Sequence, residues 1–115
     1  LVLISDSLRC AGLPDGEYTL GGQDIVMKDG KAVLKGTDTL AGSSIHLMEG
    51  LRRAVSFGLP LEDAVYAASA APAKAIRCED RMGTLKPGVS ADLVLLDEKL
   101  NVKAVFIDGR PVKRT

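Results

Sequence analysis

The sequence is a chain of 115 residues, long enough for one modest domain or for part of a larger one. Its 15 Lys and Arg residues balance 15 Asp and Glu residues, so net charge gives no support for nucleic-acid binding, and an aromatic content of 3% argues against a base-stacking module. The opening apolar run is far shorter than a membrane span and no signal peptide is present, so we expect a cytoplasmic protein that binds no membrane.

The two cysteines and the single histidine form no disulfide or metal pattern. Cys10 and Cys78 lie far apart and fit no CxxC or CxxH spacing, so we interpret both as free thiols in a reducing compartment, with Cys10 in a packing role. His46 lies in a predicted first helical turn and has no His, Cys or carboxylate partner at ligand spacing. We therefore predict a surface or supporting role for His46, and any metal would be bound mainly by residues elsewhere.

The chain opens with an apolar run, residues 1–4, that is followed by Ser5 and Asp6. A run that is apolar on both faces is typical of a buried strand in a parallel sheet covered by helices. In parallel barrels the reactive groups lie where the strands end. Asp6 is therefore the first candidate for a catalytic residue, and the alternative is an ordinary Asp that opens a turn.

An antiparallel ribbon is predicted next, in residues 18–34. The segments 18–20, 25–27 and 31–34 have strand composition, and Asp29-Gly30 is a dipeptide typical of a two-residue hairpin turn. The ribbon is long for a connection between a strand and a helix, and insertions of that length are usually functional.

Helices are predicted in the middle third of the chain. Ser43 or Ser44 is expected to cap the first of them. Apolar spacing and the positions of proline predict helical segments at residues 45–55, at residues 60–69 and, after a break at Pro72, at residues 73–76.

The C-terminal third predicts a small antiparallel β unit. Its strands are expected at residues 93–96, 102–107 and 110–112, with a turn at Asp108-Gly109. Asp92 and Asp97 flank the first of these strands on opposite faces, so turn and strand-edge roles are favoured over catalysis. The change in composition predicts a domain boundary near Met82, between residues 1–82 and residues 83–115.

Three stretches of the sequence together resemble the amidohydrolase superfamily and, within it, the N-acetylglucosamine-6-phosphate deacetylase family. The stretches are Ser5-Asp6-Ser7 with Ala11-Gly12-Leu13-Pro14-Asp15-Gly16-Glu17-Tyr18 and Leu20-Gly21-Gly22, then Thr39-Leu40-Ala41-Gly42-Ser43-Ser44, and finally Gly83-Thr84-Leu85-Lys86-Pro87-Gly88 with Ala91-Asp92-Leu93-Val94 and Asp108-Gly109. The third stretch is shared by many amidohydrolases, and the first two point to the sugar deacetylases. The family often has Thr before and Ala after the aspartate, where this sequence has Ser5 and Ser7.

The resemblance implies an α/β fold. The chain would form the C-terminal part of a TIM-like (β/α)8 barrel, with its last strand, a β-hairpin insertion and helices, followed by hairpin strands of a small β-sandwich. It implies a metal-dependent hydrolysis of N-acetylglucosamine 6-phosphate to glucosamine 6-phosphate and acetate. A divalent metal, zinc or iron, would be bound mainly by residues outside this segment, so the segment alone is expected to be inactive. A homodimer is expected for the complete enzyme.

The resemblance also assigns site residues. Asp6 would be the general base and acid, and the substrate would contact Leu40, Ala41, Gly42 and Ser43. A glycine at position 42 lets backbone approach a ligand closely, and exposed N–H groups at a helix start suit oxygen-rich ligands. The alternative for this loop is a plain capped helix start.

Two other functions fit the sequence. One is a different amidohydrolase, such as a dihydroorotase-like hydrolase of cyclic or linear amides, which would share the stretch from Gly83 to Val94 and an aspartate after the last strand. The other is a non-catalytic module that serves in assembly, since unpaired sheet edges favour association.

Overall fold

The computed structural model describes residues 1–112. The chain divides into two compact units, of which the first is Leu3–Phe57 and the second contains the other described residues. The predicted boundary near Met82 stays a prediction. Among the described residues no helix is long and apolar enough to cross a membrane.

The first unit is built on a three-stranded antiparallel sheet in the order β1-β2-β3. Two-residue turns join its strands, Gly21-Gly22 at φ 56° and 86° and Asp29-Gly30 at φ 51° and 73°. Consecutive positive φ values define the turn whose twist matches that of a hairpin. The predicted ribbon is therefore confirmed, with strands β1 (Gly16–Leu20), β2 (Gln23–Lys28) and β3 (Lys31–Leu34).

One face of this sheet forms a small apolar core. Ile25 and Met27, two residues apart on β2, point to the same side and are buried together with Cys10 and Ala32. The predicted packing role of Cys10 is confirmed, because only 1% of its surface is exposed and its thiol is free.

The expected buried strand at residues 1–4 is absent. Leu1 and Ile4 are 83% and 71% exposed. A parallel strand is stabilised by hydrogen-bonded neighbours, and the one parallel pairing in residues 1–112 is an isolated bridge between Ser7 and Ser43. Nothing in the described chain therefore pairs with the apolar run itself.

The first helix, α1 (Leu47–Ser56), begins two residues later than predicted and is not capped by a serine. His46 takes the N-cap position, and its side chain makes no capping hydrogen bond. Ser43 and Ser44 are used elsewhere: the Ser43 hydroxyl accepts a hydrogen bond from the backbone N–H of Ile45, and the Ser44 hydroxyl donates to the Gly30 carbonyl. Both serines thus serve loop contacts that local spacing could not show.

The second unit contains two short helices, α2 (Leu61–Ala68) and α3 (Ala70–Ala75). Pro60 is the N-cap of α2, which confirms the predicted second helix to within a residue at each end. The predicted break at Pro72 is wrong, since Pro72 lies in the first turn of α3, where its missing N–H is not needed. The helical path is interrupted at Ser69 instead.

The second unit also contains the predicted C-terminal sheet, in the order β4-β5-β6. Its strands are β4 (Leu93–Leu96), β5 (Val102–Ile107) and β6 (Arg110–Pro111). Asp108 and Gly109 have φ values of 50° and 72°, which confirms the predicted turn. The Asp92 carboxylate accepts a hydrogen bond of 2.9 Å from the Asp108 N–H, so its predicted structural role is confirmed.

Asp97 organises the connection between β4 and β5. Its carboxylate accepts hydrogen bonds from the backbone N–H of Asn101 at 2.8 Å, the Asn101 side-chain amide at 3.1 Å and the Lys99 N–H at 2.9 Å. These bonds, those from Asn101 first, lower the pKa of Asp97 below its ordinary value of 3.8. A carboxyl whose pKa is lower in the folded chain stabilises the fold above the unfolded pKa, and this contribution disappears as pH falls through the folded pKa.

We expect Asp97→Ala to lower the free energy of unfolding at neutral pH, and the difference from the wild type to shrink as pH falls below 3.8. Urea unfolding of both proteins across that range measures the effect. A difference that stays constant with pH would show that the charge of Asp97 does not contribute.

Candidate functional site

Asp6, the predicted catalytic residue, lies in an exposed irregular segment of the first unit, next to the bridge residue Ser7. Its backbone has a φ of 47°, in the left-handed region that residues other than glycine adopt at a cost, Asp and Asn least so. Residues held in that region are usually fixed by their surroundings and are common at functional sites.

The surroundings that fix Asp6 are the predicted substrate loop, residues 40–43. The Ser43 N–H donates to the Asp6 carbonyl at 3.4 Å, and the Leu8 N–H donates to the Ser43 carbonyl at 2.8 Å. These bonds form the parallel bridge between Ser7 and Ser43. The structure therefore brings together two segments that the sequence proposed separately.

The same loop is bonded on its other side to the ribbon. The Ala41 N–H donates to the Ala32 carbonyl of β3 at 2.8 Å, and Leu40 forms an antiparallel bridge with Val33. Ala41 packs against the apolar core, whereas the Leu40 side chain is 67% exposed. Residues 40–43 thus lie between β3 and the segment that contains Asp6.

Gly42 lies against Leu8, and this packing favours glycine at position 42 in a way that the sequence did not suggest. Its φ is 153°, and a Cβ built on it would lie 2.8 and 2.9 Å from the Cδ2 and Cγ atoms of Leu8. Contacts that short require the Leu8 side chain or the loop to shift, so the present packing favours glycine at position 42. The sequence predicts that the glycine lets a ligand approach, which stays a prediction; in the structure the neighbour that the glycine accommodates is Leu8.

A cavity of about 850 Å³ flanks the loop on the side of the ribbon turn and α1. Leu40, Gly42 and Ser43 line it, while Asp6 and Ala41 are not among its lining residues. Its charged groups include Lys31 and Arg53, and the Arg53 guanidinium is paired with Glu49 at 2.7 Å. Three of the four predicted substrate residues therefore share one concave surface.

His46 has a neighbour that sequence spacing did not reveal. It is exposed and precedes α1, so the expectation of a first-turn position is corrected by one residue. A Cβ built on Gly12, which has a φ of 78°, would lie 2.8 Å from the imidazole Nε2. The side chain thus lies over the loop that follows Asp6, and the predicted surface or supporting role is compatible with this position.

Comparison with known proteins decides the family. A sequence model described as the amidohydrolase family matches residues 24–112, which is more than half of the chain. The chain belongs to the amidohydrolase family.

The relatives of this amidohydrolase chain include sugar-phosphate deacetylases. It is 39% identical over 113 residues to N-acetylglucosamine-6-phosphate deacetylase of Bos taurus, a match that covers 97% of this chain and 28% of that protein. It is 37% identical over 111 residues to N-acetylgalactosamine-6-phosphate deacetylase of Escherichia coli O157:H7, a match that covers 96% of this chain and 29% of that protein. The chain thus spans less than a third of the length of these relatives.

Solved structures agree with this relationship. The amidohydrolase chain superposes on a mutant N-acetyl-D-glucosamine-6-phosphate deacetylase from Mycobacterium smegmatis in complex with N-acetyl-D-glucosamine-6-phosphate, with a TM-score of 0.87 and 40% identity. The match covers 96% of this chain and 30% of that one. The resemblance inferred from the sequence is therefore confirmed.

The described part of this amidohydrolase chain does not fit a metal by itself. No group of three or more His, Cys, Asp or Glu side chains in residues 1–112 is placed to bind a metal ion. What the arrangement supplies is an exposed carboxylate, Asp6, hydrogen-bonded through its backbone to a glycine-containing loop at a cavity edge. Such a carboxylate can accept and donate a proton.

Proposed function

We propose that this chain is the C-terminal part of a deacetylase that hydrolyses N-acetylglucosamine 6-phosphate to glucosamine 6-phosphate and acetate. One observation carries the proposal: backbone hydrogen bonds join Ser43 to the segment 6–8, which supports a site shared by the candidate acid and the candidate substrate loop. The names of the relatives and of the structural neighbours support the choice of substrate.

In this proposal, residues 1–82 contribute the last strand, the ribbon insertion and the helices of a TIM-like barrel. Residues 83–115 contribute hairpin strands to a small β-sandwich. The apolar run at residues 1–4 would become a strand once neighbouring strands pair with it, because parallel strands need such neighbours. The exposed side chains of Leu1 and Ile4 support this interpretation.

Asp6 is proposed as the group that moves the proton. Its carboxylate would accept a proton from the attacking water, whose oxygen bonds to the acetamide carbon, and would deliver that proton to the nitrogen as the C–N bond breaks. The products are acetic acid and the free amine. The acid then loses its proton to the amine, which leaves acetate and an ammonium group, and Asp6 returns to its starting state. Since the described residues form no metal site, the ligands of the expected zinc or iron would come from elsewhere in the protein.

The loop formed by Leu40, Ala41, Gly42 and Ser43 is proposed to contact the sugar. Its backbone is fixed on both sides, by β3 and by the segment 6–8, so it offers a preformed surface. A preformed surface lowers the ordering cost of binding. Asp6 borders this surface through the Ser43 N–H and would therefore lie near a bound acetamide.

The test is an assay of the full-length protein that contains this chain, loaded with zinc or iron, on a panel of amides. We expect acetate release from N-acetylglucosamine 6-phosphate, much slower release from unphosphorylated N-acetylglucosamine, and none from cyclic amides. We expect no turnover by the 115-residue chain alone. Preferential hydrolysis of a cyclic amide would favour the dihydroorotase-like alternative. A full-length protein that hydrolyses none of these amides, together with a 115-residue chain that is a compact monomer, would favour the assembly module.

A second substrate is favoured by one specific finding. The relative of Escherichia coli O157:H7 is named for N-acetylgalactosamine 6-phosphate, which differs from the glucose form only in the configuration of one hydroxyl group. Both phosphosugars therefore belong in the panel, and the ratio of their kcat/KM values assigns the preference. Size-exclusion mass of the same protein tests the expected homodimer.

A further inference from the structure

Ser7 follows the candidate catalytic residue and makes a hydrogen bond that crosses to the substrate loop. Its hydroxyl donates to the carbonyl of Ile45 at 2.5 Å. The bond joins Ser7, next to Asp6, to Ile45, which lies two positions after the end of the loop at Ser43. It therefore ties the two parts of the proposed site together through a side chain, in addition to the backbone bonds.

The backbone bonds alone hold Asp6 weakly. The bond from the Ser43 N–H to the Asp6 carbonyl is 3.4 Å long, beyond the usual range for N–H···O bonds. The next bond, from the Leu8 N–H to Ser43, lies two residues further along the chain. Asp6 itself is in the left-handed region, which persists only where the surroundings impose it.

We propose that Ser7 is a positioning residue for Asp6. Its hydroxyl fixes the backbone at Ser7 against Ile45, so that the carboxylate on the preceding residue keeps one place relative to residues 40–43. The inference rests on the proposed function, since it needs Asp6 to act on a substrate held by that loop. It gives a role to a hydroxyl at a position where the family often has alanine.

The inference predicts a specific kinetic pattern for Ser7→Ala in the full-length protein. We expect kcat to fall by about 5–10-fold with little change in KM, the size expected for losing one neutral hydrogen bond. Ser7→Thr keeps the hydroxyl and should recover most of the activity. In an Asp6→Asn background, Ser7→Ala should cause no further loss, because a residue that acts only through Asp6 has nothing left to position.

Ser56→Ala is the matched control. The Ser56 hydroxyl also donates to a backbone carbonyl, that of Arg53 at 2.8 Å, and lies in the same unit at the end of α1. It should leave kcat unchanged.

Hydrogen exchange gives a readout that does not depend on turnover. Amide exchange at Leu8 and Ser43 should be faster by about 5–10-fold in Ser7→Ala and unchanged in Ser56→Ala, because the crossing bond protects both amides. Faster exchange with normal kcat would overturn the positioning role, and so would unchanged exchange. If the wild type is active and Ser7→Ala behaves like the control, only this inference fails. If the wild type does not release acetate, the proposed function fails first, and this inference fails with it.

Discussion

Asp6→Asn in the full-length protein is expected to reduce kcat by about 10²–10⁴-fold, the usual contribution of general acid–base catalysis. The amide cannot accept the proton of the attacking water. Folding should not change, because Asn adopts the left-handed φ of 47° as readily as Asp does, and the hydrogen bonds that fix this segment use the backbone and Ser7. Steady-state assays with N-acetylglucosamine 6-phosphate, beside circular dichroism of both proteins, measure the two effects.

Asp108→Asn is the matched control for this change. Asp108 has a φ of 50° in a two-residue turn, and Asn-Gly is a preferred sequence for such turns. It lies in the second unit, at the turn between β5 and β6, and should retain full kcat. Normal turnover by Asp6→Asn would remove Asp6 from the mechanism and with it the proposed role of this segment.

Gly42→Ala is expected to lower the free energy of unfolding by about 2–5 kcal/mol and to raise KM. Two costs add: about 1–2 kcal/mol for a side chain at a disfavoured positive φ, and about 1–3 kcal/mol for overpacking against Leu8. The new Cβ would lie 2.8 Å from the Leu8 Cδ2 atom, so either the Leu8 side chain or the loop must shift. Since Gly42 also lines the cavity, this shift should weaken binding of the proposed substrate.

Two further variants separate these costs. Gly36→Ala places a side chain at a positive φ of 79° with no atom within 4 Å of the added Cβ, so it shows what a positive φ costs without a steric contact. Leu8→Ala removes the obstructing atoms, so the Leu8→Ala/Gly42→Ala double variant should lose about 1–3 kcal/mol less than the sum of the single variants. Strict additivity in urea unfolding would show that Leu8 does not determine the need for glycine at position 42.

The parts of the fold that sequence predicted well are those determined by neighbouring residues. Asp29-Gly30 and Asp108-Gly109 adopt the positive φ pairs that their composition favours, and the strands on either side follow from them. Pro60 likewise marks the start of α2. In each case the information lies within a few residues, where turn and cap chemistry applies.

The parts that sequence missed depend on contacts between distant residues. Ser43 has the composition of a helix cap, but its backbone is already paired with the segment 6–8, and α1 begins after His46 instead. The apolar run at residues 1–4 has the composition of a buried strand but lacks a partner in the described chain. The hydrogen bond of Ser7 also joins residues far apart, so only the structure reveals it.

The bond between Ala41 and Ala32 has a consequence for how substrate preference could diverge among related enzymes. The residues proposed to contact the sugar are continuous with a hairpin whose two-residue tip, Asp29-Gly30, is exposed. Lengthening or twisting that hairpin would move β3, and the loop bonded to β3 would move with it, without a substitution in the loop itself. Exchanging this hairpin between N-acetylglucosamine-6-phosphate and N-acetylgalactosamine-6-phosphate deacetylases is therefore a way to exchange their substrate selectivity without changing the loop residues.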